Sequence, residues 1–268
     1  MCVALFFFNG CAAPDRLVVA CWNVENLFDS EDDPSNEGDD GFTPRGWMRW
    51  TRARYEMKHQ HLADVIARMR PDILGLTEIE NRRVLEDLAK TLKERHGYEM
   101  PFILHRDGDE KRGIDVAIMS RHEAVATNWI WSVSGQREVL VGDFVIGGRA
   151  LTLLVNHWKS QLGKKGESDE IRRMEALAVR NYLDRRLAGD PAAATYLHVL
   201  SDFRHSDWLG SQSAAGVLQA LSEADVAINL VRAVSEPHDN LAIVDLTGAV
   251  EVAAAGIPVE LVAAVQNF

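Results

Sequence analysis

The sequence predicts a layered α/β fold, because short apolar strands and amphipathic helices mix along the whole chain. Buried-type runs recur at 17–22, 72–77 and 151–156, and helical apolar stripes lie between and after them. The 268 residues suit one domain with a large core, and no internal repeat or linker is visible. The pattern alone does not distinguish a doubly wound sheet from two packed sheets.

The first elements form a β-loop-α-β unit. A Gly- and Pro-containing segment follows the first strand up to Trp50. The first helix is predicted from Thr51, its N-cap, to Arg70, and Pro71 ends it. Its apolar stripe is Leu62, Val65, Ile66 and Met69.

Later elements follow from similar patterns. A second helix over 81–96 buries Val84, Leu85, Leu88 and Leu92, and Gly97 suits its C-cap. Strands are predicted at 115–120, 139–146 and 151–156, with a hairpin turn at Gly147 and Gly148. A third helix runs from near Ser168 to near Gly189, and a further strand covers 196–200.

The net charge of −11 argues against a broad basic surface for tight non-specific nucleic-acid binding. It does not exclude a nuclease that uses a metal and a local basic rim. Part of the acidic excess lies in 30–40, which we interpret as a solvated loop, with a surface cation site as the weaker alternative.

Residues 1–16 contain a short apolar run that ends near Cys11. This resembles the end of a bacterial lipoprotein signal with Cys11 as the lipidated residue, and a disordered N-terminus is the alternative. The first interpretation predicts an exported, periplasmic or lipid-anchored protein, and the second a cytoplasmic one. No sequence segment is long enough to span a membrane.

Polar side chains come at the ends of the predicted strands. Asn23, Glu78, Asp202 and the pair Asn156 and His157 each follow an apolar run. Arg112 and Asp115 instead stand at the start of a strand. Functional groups commonly sit on loops held by a rigid scaffold, so these residues indicate one shared site.

Four motifs carry a family resemblance. They are WNVENLFD at 22–29, PDILGLTEIEN at 71–81, RGIDVAIMSR at 112–121 and VNHWKSQLG at 155–163. In this order they resemble the endonuclease/exonuclease/phosphatase superfamily, most closely its bacterial, often exported branch. The resemblance implies a four-layer sandwich of two mixed β-sheets flanked by helices, over a domain at 17–246. Residues 247–268 match nothing in it and form an atypical tail.

The resemblance also implies a phosphodiester substrate, which includes nucleic acid, and Mg²⁺ or Mn²⁺ as the cofactor. Glu78 is then the metal ligand, where spacing alone would favour a strand-end surface charge. Asn23 either orients Glu78 or touches the metal, and a simple turn residue is its structural alternative. His157 would bond the scissile phosphate, unless it is a packing residue. Asp202 would position or deprotonate the attacking water.

The remaining candidates surround this group. Arg112 and Lys159 can each donate to phosphate, with Arg112 favoured because RGIDVA matches the family. Asn156 lies beside His157 in the VNHW motif and is a substrate-binding candidate. Asp115 orients a neighbour or forms a buried structural ion pair.

The sequence departs from the family in two places. The family G-D-F-N-D is here Ser201 to His205, with Arg204 where the family has Asn. Arg204 is still a substrate-binding candidate that could contact phosphate, and the alternative is an ion pair with Asp202 or Glu78 that displaces the cation. The late S-D-H is missing. One interpretation aligns Asp239 and Asn240 with its Asp and His, and the alternative is that His238 substitutes from two residues away. We therefore expect a metal-dependent phosphodiesterase or nuclease with impaired catalysis. The alternatives are an inactive binding or scaffold protein and, more weakly, a phosphomonoesterase or lipid phosphodiesterase.

Overall fold

The computed structural model describes residues 2–9, 17–34, 36–159, 165–189, 196–201, 227–232, 241–248 and 261–267. The chain divides into two compact units, Met1–Arg232 and Ala233–Phe268. The first unit holds the motifs quoted above up to 163. The sequence-based boundaries at 17, 246 and 247 stay predictions.

Among the described residues, the three predicted helices and the six predicted strands lie where the pattern places them, and six further strands are present. The strands are β1 Cys2–Asn9, β2 Val19–Leu27, β3 Ile73–Ile79, β4 Phe102–Leu104, β5 Asp115–Ser120, β6 Ala126–Ile130, β7 Val139–Ile146, β8 Arg149–His157, β9 Tyr196–Ser201, β10 Ala227–Arg232, β11 Leu241–Gly248 and β12 Leu261–Asn267. The helices are α1 Arg52–Met69, α2 Arg82–His96 and α3 Lys165–Gly189, and a short 3₁₀ turn covers Asp40–Phe42.

One sheet of the first unit has the order β2-β3-β5-β4. Strands β2 and β3 are parallel and joined through α1, whereas β3–β5 and β5–β4 are antiparallel. The parallel pair is what the β-loop-α-β unit predicts, and the sheet as a whole is mixed, as the resemblance implies.

The other sheet has the order β10-β9-β1-β8-β7-β6. Strands β7 and β8 form the predicted hairpin, in which Gly147 and Gly148 both have positive φ, 57° and 75°. Two central residues with positive φ are what a tight two-residue hairpin requires, and glycine adopts them at little cost. Strand β1 lies antiparallel between β8 and β9, so the apolar N-terminal run is part of this sheet.

Two hydrophobic cores lie between the layers. The first contains Leu74 and Leu76 of β3 with the apolar faces of α1 and α2. The second contains the neighbouring position Ile73 with Leu153 and Val155 of β8. Successive strand residues point to opposite faces, so the sheets pack on each other and α1 and α2 cover the outer face of the first sheet.

Helix α3 covers the outer face of the second sheet. Arg186 donates to Thr152 Oγ1 at 2.9 Å and to Asp143 Oδ1 at 2.7 Å, on the side of β7 and β8 away from the shared core. The order is therefore helix, sheet, sheet, helix. The predicted four-layer α/β sandwich is confirmed.

Helix ends follow their capping residues. Thr51 and Asn81 accept from the backbone N–H three residues on, and Gly97 ends α2 in the left-handed conformation. Helix α3 starts at Lys165, three residues before the prediction, and Ser168 is buried. Strands β1, β4, β6 and β10 were not predicted. Strand β4 has only three residues, and β6 is largely exposed without alternation.

The second unit contains β11 and β12, which pair antiparallel. The last strand that the sequence predicts is 196–200, so neither strand of this unit was predicted. Among the described residues, no helix is both long and apolar enough to cross a membrane.

Gly75 sets the spacing between the two sheets. A Cβ at this position would lie 2.7 Å from Val155 Cγ2, a stiff side chain in the shared core. We expect Gly75→Val to lower the free energy of unfolding by about 1–3 kcal/mol through overpacking, measured by urea denaturation. Gly166→Ala in α3, where a Cβ would meet nothing within 4 Å, is the control, and it should not lower the midpoint because alanine favours a helix over glycine. Equal midpoints for both variants would contradict this account of the sheet spacing.

Candidate functional site

Glu78 lies at the carboxyl end of β3 in an unusual backbone conformation. Its φ is +65°, and the pairing of β3 with both β2 and β5 shifts register around it. Left-handed φ is uncommon for residues other than glycine and costs free energy, and such positions cluster at functional sites. At this irregularity the regular alternation of side chains along β3 is broken. The Glu78 side chain is 14% exposed.

Both oxygens of Glu78 accept hydrogen bonds. Asn23 Nδ2 donates to Oε1 at 3.0 Å, and the backbone N–H of Asn26 donates to Oε2 at 2.9 Å. Asn23 Oδ1 in turn accepts from the N–H of Glu25 at 2.9 Å. Asn23 is thus hydrogen-bonded to Glu78, a contact that the first of its two predicted roles requires, and the role itself stays a prediction.

The segment that supplies these donors is itself irregular. Glu25 and Asn26 have φ of 55° and 59°, and Lys58 of α1 donates to the backbone carbonyls of both. Burial lowers the pKa of Lys58. Helix α1 thereby holds the end of β2 in the form that presents its N–H to Glu78.

His157 ends β8 and approaches the same carboxylate, with Nε2 at 3.5 Å from Glu78 Oε1. Leu153 and Val155 lie in the core between the sheets, so alternation directs His157 to that side as well. Burial first, and then the charges of Arg137 and Arg112, lower the pKa of His157 to about 2. The imidazole is therefore neutral, and its contact with Glu78 is not an ion pair.

Arg137 is a buried residue of this group that the sequence analysis did not single out. Its Nε donates to the backbone carbonyl of His157 at 3.1 Å, and its NH1 lies 3.5 Å from Glu110 Oε1. The Arg137 side chain is only 5% exposed, and burial lowers its pKa. Arg137 thus fixes the end of β8 and carries a buried positive charge beside His157.

Arg112 lies on the exposed side of the group. Its guanidinium donates to Asn26 Oδ1 at 2.8 Å, so it touches the residue whose N–H binds Glu78. Arg112 also lines a cavity of about 490 Å³ together with Phe42, Trp47 and Asp40. The cavity offers aromatic surface next to one exposed cation.

Lys159 and Asp115 have hydrogen-bond partners other than Glu78, and Asn156 lies on the far face of β8. Lys159 N donates to the buried Glu175 Oε2 at 3.0 Å. Asn156 is 1% exposed and, by alternation, lies on the face of β8 opposite His157. Asp115 is buried and accepts from the N–H of Gly108 at 3.1 Å. Burial raises the pKa of Asp115 to about 7.

Asp202 and Arg204, like Cys11, lie outside the described residues. The structure thus brings Asn23, Glu78, His157 and Arg112 together, and it places Asn156, Lys159 and Asp115 in other contacts. The catalytic and binding roles assigned to all of these residues stay predictions.

The Glu78 group offers ligands that suit a hard divalent cation. Each carboxylate oxygen carries two acceptor sites, and the bonds from Asn23 and Asn26 use one on each. Carboxylate oxygen is the donor that Mg²⁺ prefers, and Mg²⁺ usually keeps several waters beside one or two carboxylates. The residues present therefore fit Mg²⁺ with Glu78 as the protein ligand.

A second set of carboxyl groups lies behind the site, where Glu80 follows β3. Glu80 Oε2 accepts from the N–H of Asp29 at 2.7 Å, and Asp39 is buried close by. Burial raises the pKa of Glu80 to about 8, and the nearby charges of Asp29, Asp39 and Asp33 add to this effect. The acidic segment at 30–40 is thus only partly the solvated loop that the sequence predicts.

The raised pKa of Glu80 makes folding pH-dependent. The folded state keeps a proton that the unfolded chain releases near its ordinary pKa of 4.5, so stability falls as the pH rises from there to about 8. In Glu80→Gln the loss of unfolding free energy between pH 5 and 9 should be smaller than in the parent by roughly 1–3 kcal/mol, measured by urea denaturation at each pH. Glu123→Gln, on a surface loop, is the control. The same slope in parent and Glu80→Gln would contradict the buried, protonated carboxyl.

The chain is similar to known proteins at the level of family and of structure. The search of curated proteins gave no match. Among solved structures, the chain is similar to the mannosyl-6-phosphatase Bt3783 of Bacteroides thetaiotaomicron VPI-5482, with 18% identity and a TM-score of 0.38. The match covers 65% of this chain and 61% of that one. A family model described as "Endonuclease/Exonuclease/phosphatase family" matches residues 18–239. The chain therefore belongs to the endonuclease/exonuclease/phosphatase family.

Proposed function

We propose that this chain is a Mg²⁺- or Mn²⁺-dependent phosphodiesterase or nuclease with impaired catalysis. The observation that carries the proposal is Glu78, a carboxylate held in a strained conformation by donors from β2 and approached by the neutral His157. The left-handed backbone of Glu78 costs free energy that folding by itself does not require. The two hydrogen bonds hold its carboxylate in a position suited to binding a cation.

Glu78 would hold the metal, and Asn23 would orient the Glu78 carboxylate. When bound, the ion would act as a Lewis acid on a phosphoryl oxygen and stabilise the charge that develops there. Both hydrogen bonds to Glu78 fix the carboxylate before the cation arrives, which lowers the entropy lost on binding.

His157 and Arg112 would act on the phosphate from two sides. A neutral imidazole can donate one hydrogen bond to a phosphate oxygen without repelling a nearby divalent cation. Arg112 is exposed and carries donors that match phosphate geometry. Release of its bond to Asn26 would free the guanidinium for substrate at the rim of the cavity.

The proposed impairment rests on the sequence at 201–205 and on the missing S-D-H. Arg204 is always charged and has no acceptor, so it cannot replace the donor and acceptor of an asparagine amide. It would also repel a divalent cation near Asp202. The loss of one catalytic group commonly costs about 10²–10⁴-fold in rate, which favours slow turnover. Complete loss would instead leave a binding or scaffold protein.

Hydrolysis assays test this proposal directly. Bis-p-nitrophenyl phosphate, p-nitrophenyl phosphate, DNA and RNA would each be incubated with the parent and with His157→Ala, in Mg²⁺, Mn²⁺ or EDTA. We expect slow, EDTA-sensitive hydrolysis of the diester that His157→Ala reduces. Activity that persists in EDTA would contradict the metal requirement. No turnover on any substrate, with Mg²⁺ still bound, would support the scaffold alternative.

A further inference from the structure

A second group of metal-type ligands lies in the β4–β5 loop. His105, Asp107 and Asp115 each offer one ligand atom, and these atoms lie within 4.8 Å of one another. All three residues flank or belong to the segment that joins Leu104, the end of β4, to Asp115, the start of β5. The group is local, so the closure of one hairpin loop assembles it.

The imidazole of His105 is the observation that points to a ligand. Its side chain is 1% exposed, and within the described part of the chain neither ring nitrogen has a hydrogen-bond partner. A neutral imidazole carries one donor and one acceptor, and leaving such groups buried and unsatisfied is destabilising. Buried polar side chains without partners are rare in folded proteins, and a bound ion can satisfy those that protein atoms leave unpaired.

His105 and Asp115 lie close enough to share one ion after a small movement. His105 Nε2 lies 4.0 Å from Asp115 Oδ2, which is too long for a hydrogen bond. A tetrahedral Zn²⁺ with bonds of about 2.0–2.2 Å holds two ligand atoms roughly 3.3–3.5 Å apart, so binding would draw these two atoms together by about half an ångström. The two side chains therefore face each other without a direct hydrogen bond, and a small shift would let both bind one ion.

The loop backbone fixes the Asp115 carboxylate in place. The N–H of Gly108 donates to Asp115 Oδ2, and a Cβ on Gly108 would lie 2.7 Å from Asp115 Oδ1. The loop thus passes directly over the carboxylate, and glycine permits that approach. Backbone donors of this kind orient a metal-binding carboxylate.

This group is distinct from the Glu78 group. Val116 and Ile118 of β5 face the core between the sheets, so alternation places Asp115 on the other face, toward α1 and α2. Ile103 lies in the helix-side core, and alternation places His105 on that same side. His157 instead faces the core between the sheets, as shown above.

We propose that His105, Asp107 and Asp115 bind one divalent transition-metal ion, with Zn²⁺ as the ion of choice. One imidazole and two carboxylates form a mixed nitrogen and oxygen set, which suits Zn²⁺ better than Ca²⁺ or Mg²⁺. The exposed Asp107 closes the set from the solvent side.

The consequence of the ion concerns Arg112. Arg112 belongs to the same loop and reaches Asn26 at 2.8 Å, next to Glu78. An ion that ties Asp107 to His105 and Asp115 would order this loop and so set the position of Arg112. The proposed zinc is therefore structural, and it would support the site that the proposed function requires.

The test is a Zn²⁺ titration of the metal-stripped full chain by calorimetry, in the Glu78→Gln background to remove the other group. We expect one Zn²⁺ per chain, with at least about tenfold weaker binding in His105→Ala and in Asp107→Asn. His96→Ala is the matched control and should bind Zn²⁺ as the parent does. His96 is another histidine beside an aspartate, with Nε2 at 2.7 Å from Asp64 Oδ1 on the surface.

A second readout is thermal stability, since an ion that binds only the folded chain raises its melting temperature. Zn²⁺ should raise Tm in Glu78→Gln and in His96→Ala, and it should raise Tm less in Asp107→Asn. Because Asp107 is exposed, a smaller rise in that variant cannot be attributed to misfolding. Absence of Zn²⁺ binding would overturn the proposal. Equal Zn²⁺ affinity in the Glu78→Gln parent and in its His105→Ala and Asp107→Asn variants would also overturn the proposal. Either failure leaves the Mg²⁺ proposal for Glu78 untouched.

Discussion

Glu78→Gln should lower the affinity for Mg²⁺ at least about tenfold and reduce any metal-dependent hydrolysis by roughly 10²–10⁴-fold. Glutamine keeps the shape of the side chain but removes the charge that attracts the cation. One donor, Asn23 Nδ2 or Asn26 N, would then face an amide NH₂ in place of an acceptor oxygen. Calorimetric titration with Mg²⁺ measures the first effect, and hydrolysis of bis-p-nitrophenyl phosphate measures the second.

Glu25→Gln is the matched control. Glu25 is an exposed carboxylate in the same irregular end of β2, and its replacement removes the same charge. We expect the Mg²⁺ affinity of this variant to stay within about twofold of the parent, because exposed charges interact weakly through water. Equal losses in both variants would mean that Glu78 attracts the ion only as part of the general negative field, and the ligand role would be wrong.

The fold was predictable where local signals agree. Helix α2 shows this best, since Asn81 caps its start, Gly97 ends it, and the four predicted apolar positions are all fully buried. Each of these signals acts within one turn of helix, so the sequence contains the whole argument. The short edge strand β4 has no such local signal, because its place depends on pairing with β5.

The candidate site was predictable in its residues but not in its geometry. The motifs indicate Glu78 and Asn23, yet the left-handed backbone of Glu78 depends on register shifts against both β2 and β5. Those partners are distant in sequence, so no local pattern reveals the conformation. The same holds for Arg137, which precedes β7 and resembles any charged loop residue until β8 places the carbonyl of His157 against it.

Arg137→Met should lower the free energy of unfolding by about 3–5 kcal/mol, because it leaves the Glu110 carboxylate without its buried partner. Methionine keeps much of the apolar stem, so the loss reports charge and hydrogen bonding more than volume. The variant also removes the donor to the backbone carbonyl of His157. Urea denaturation measures the change, and hydrolysis assays show whether the shifted end of β8 also slows turnover.

A double-mutant cycle separates these effects. Glu110→Gln removes the charge that Arg137→Met would strand, so the double variant should be more stable than the sum of the two single losses. We expect an interaction energy of at least about 1 kcal/mol between the two sites. Arg106→Met with Glu138→Gln is the matched pair on the more exposed side, where Arg106 also pairs with a glutamate and the coupling should be smaller. Additive losses at Arg137 and Glu110 would show that the arginine acts only through the His157 carbonyl, and the buried ion pair would then contribute nothing to this end of the site.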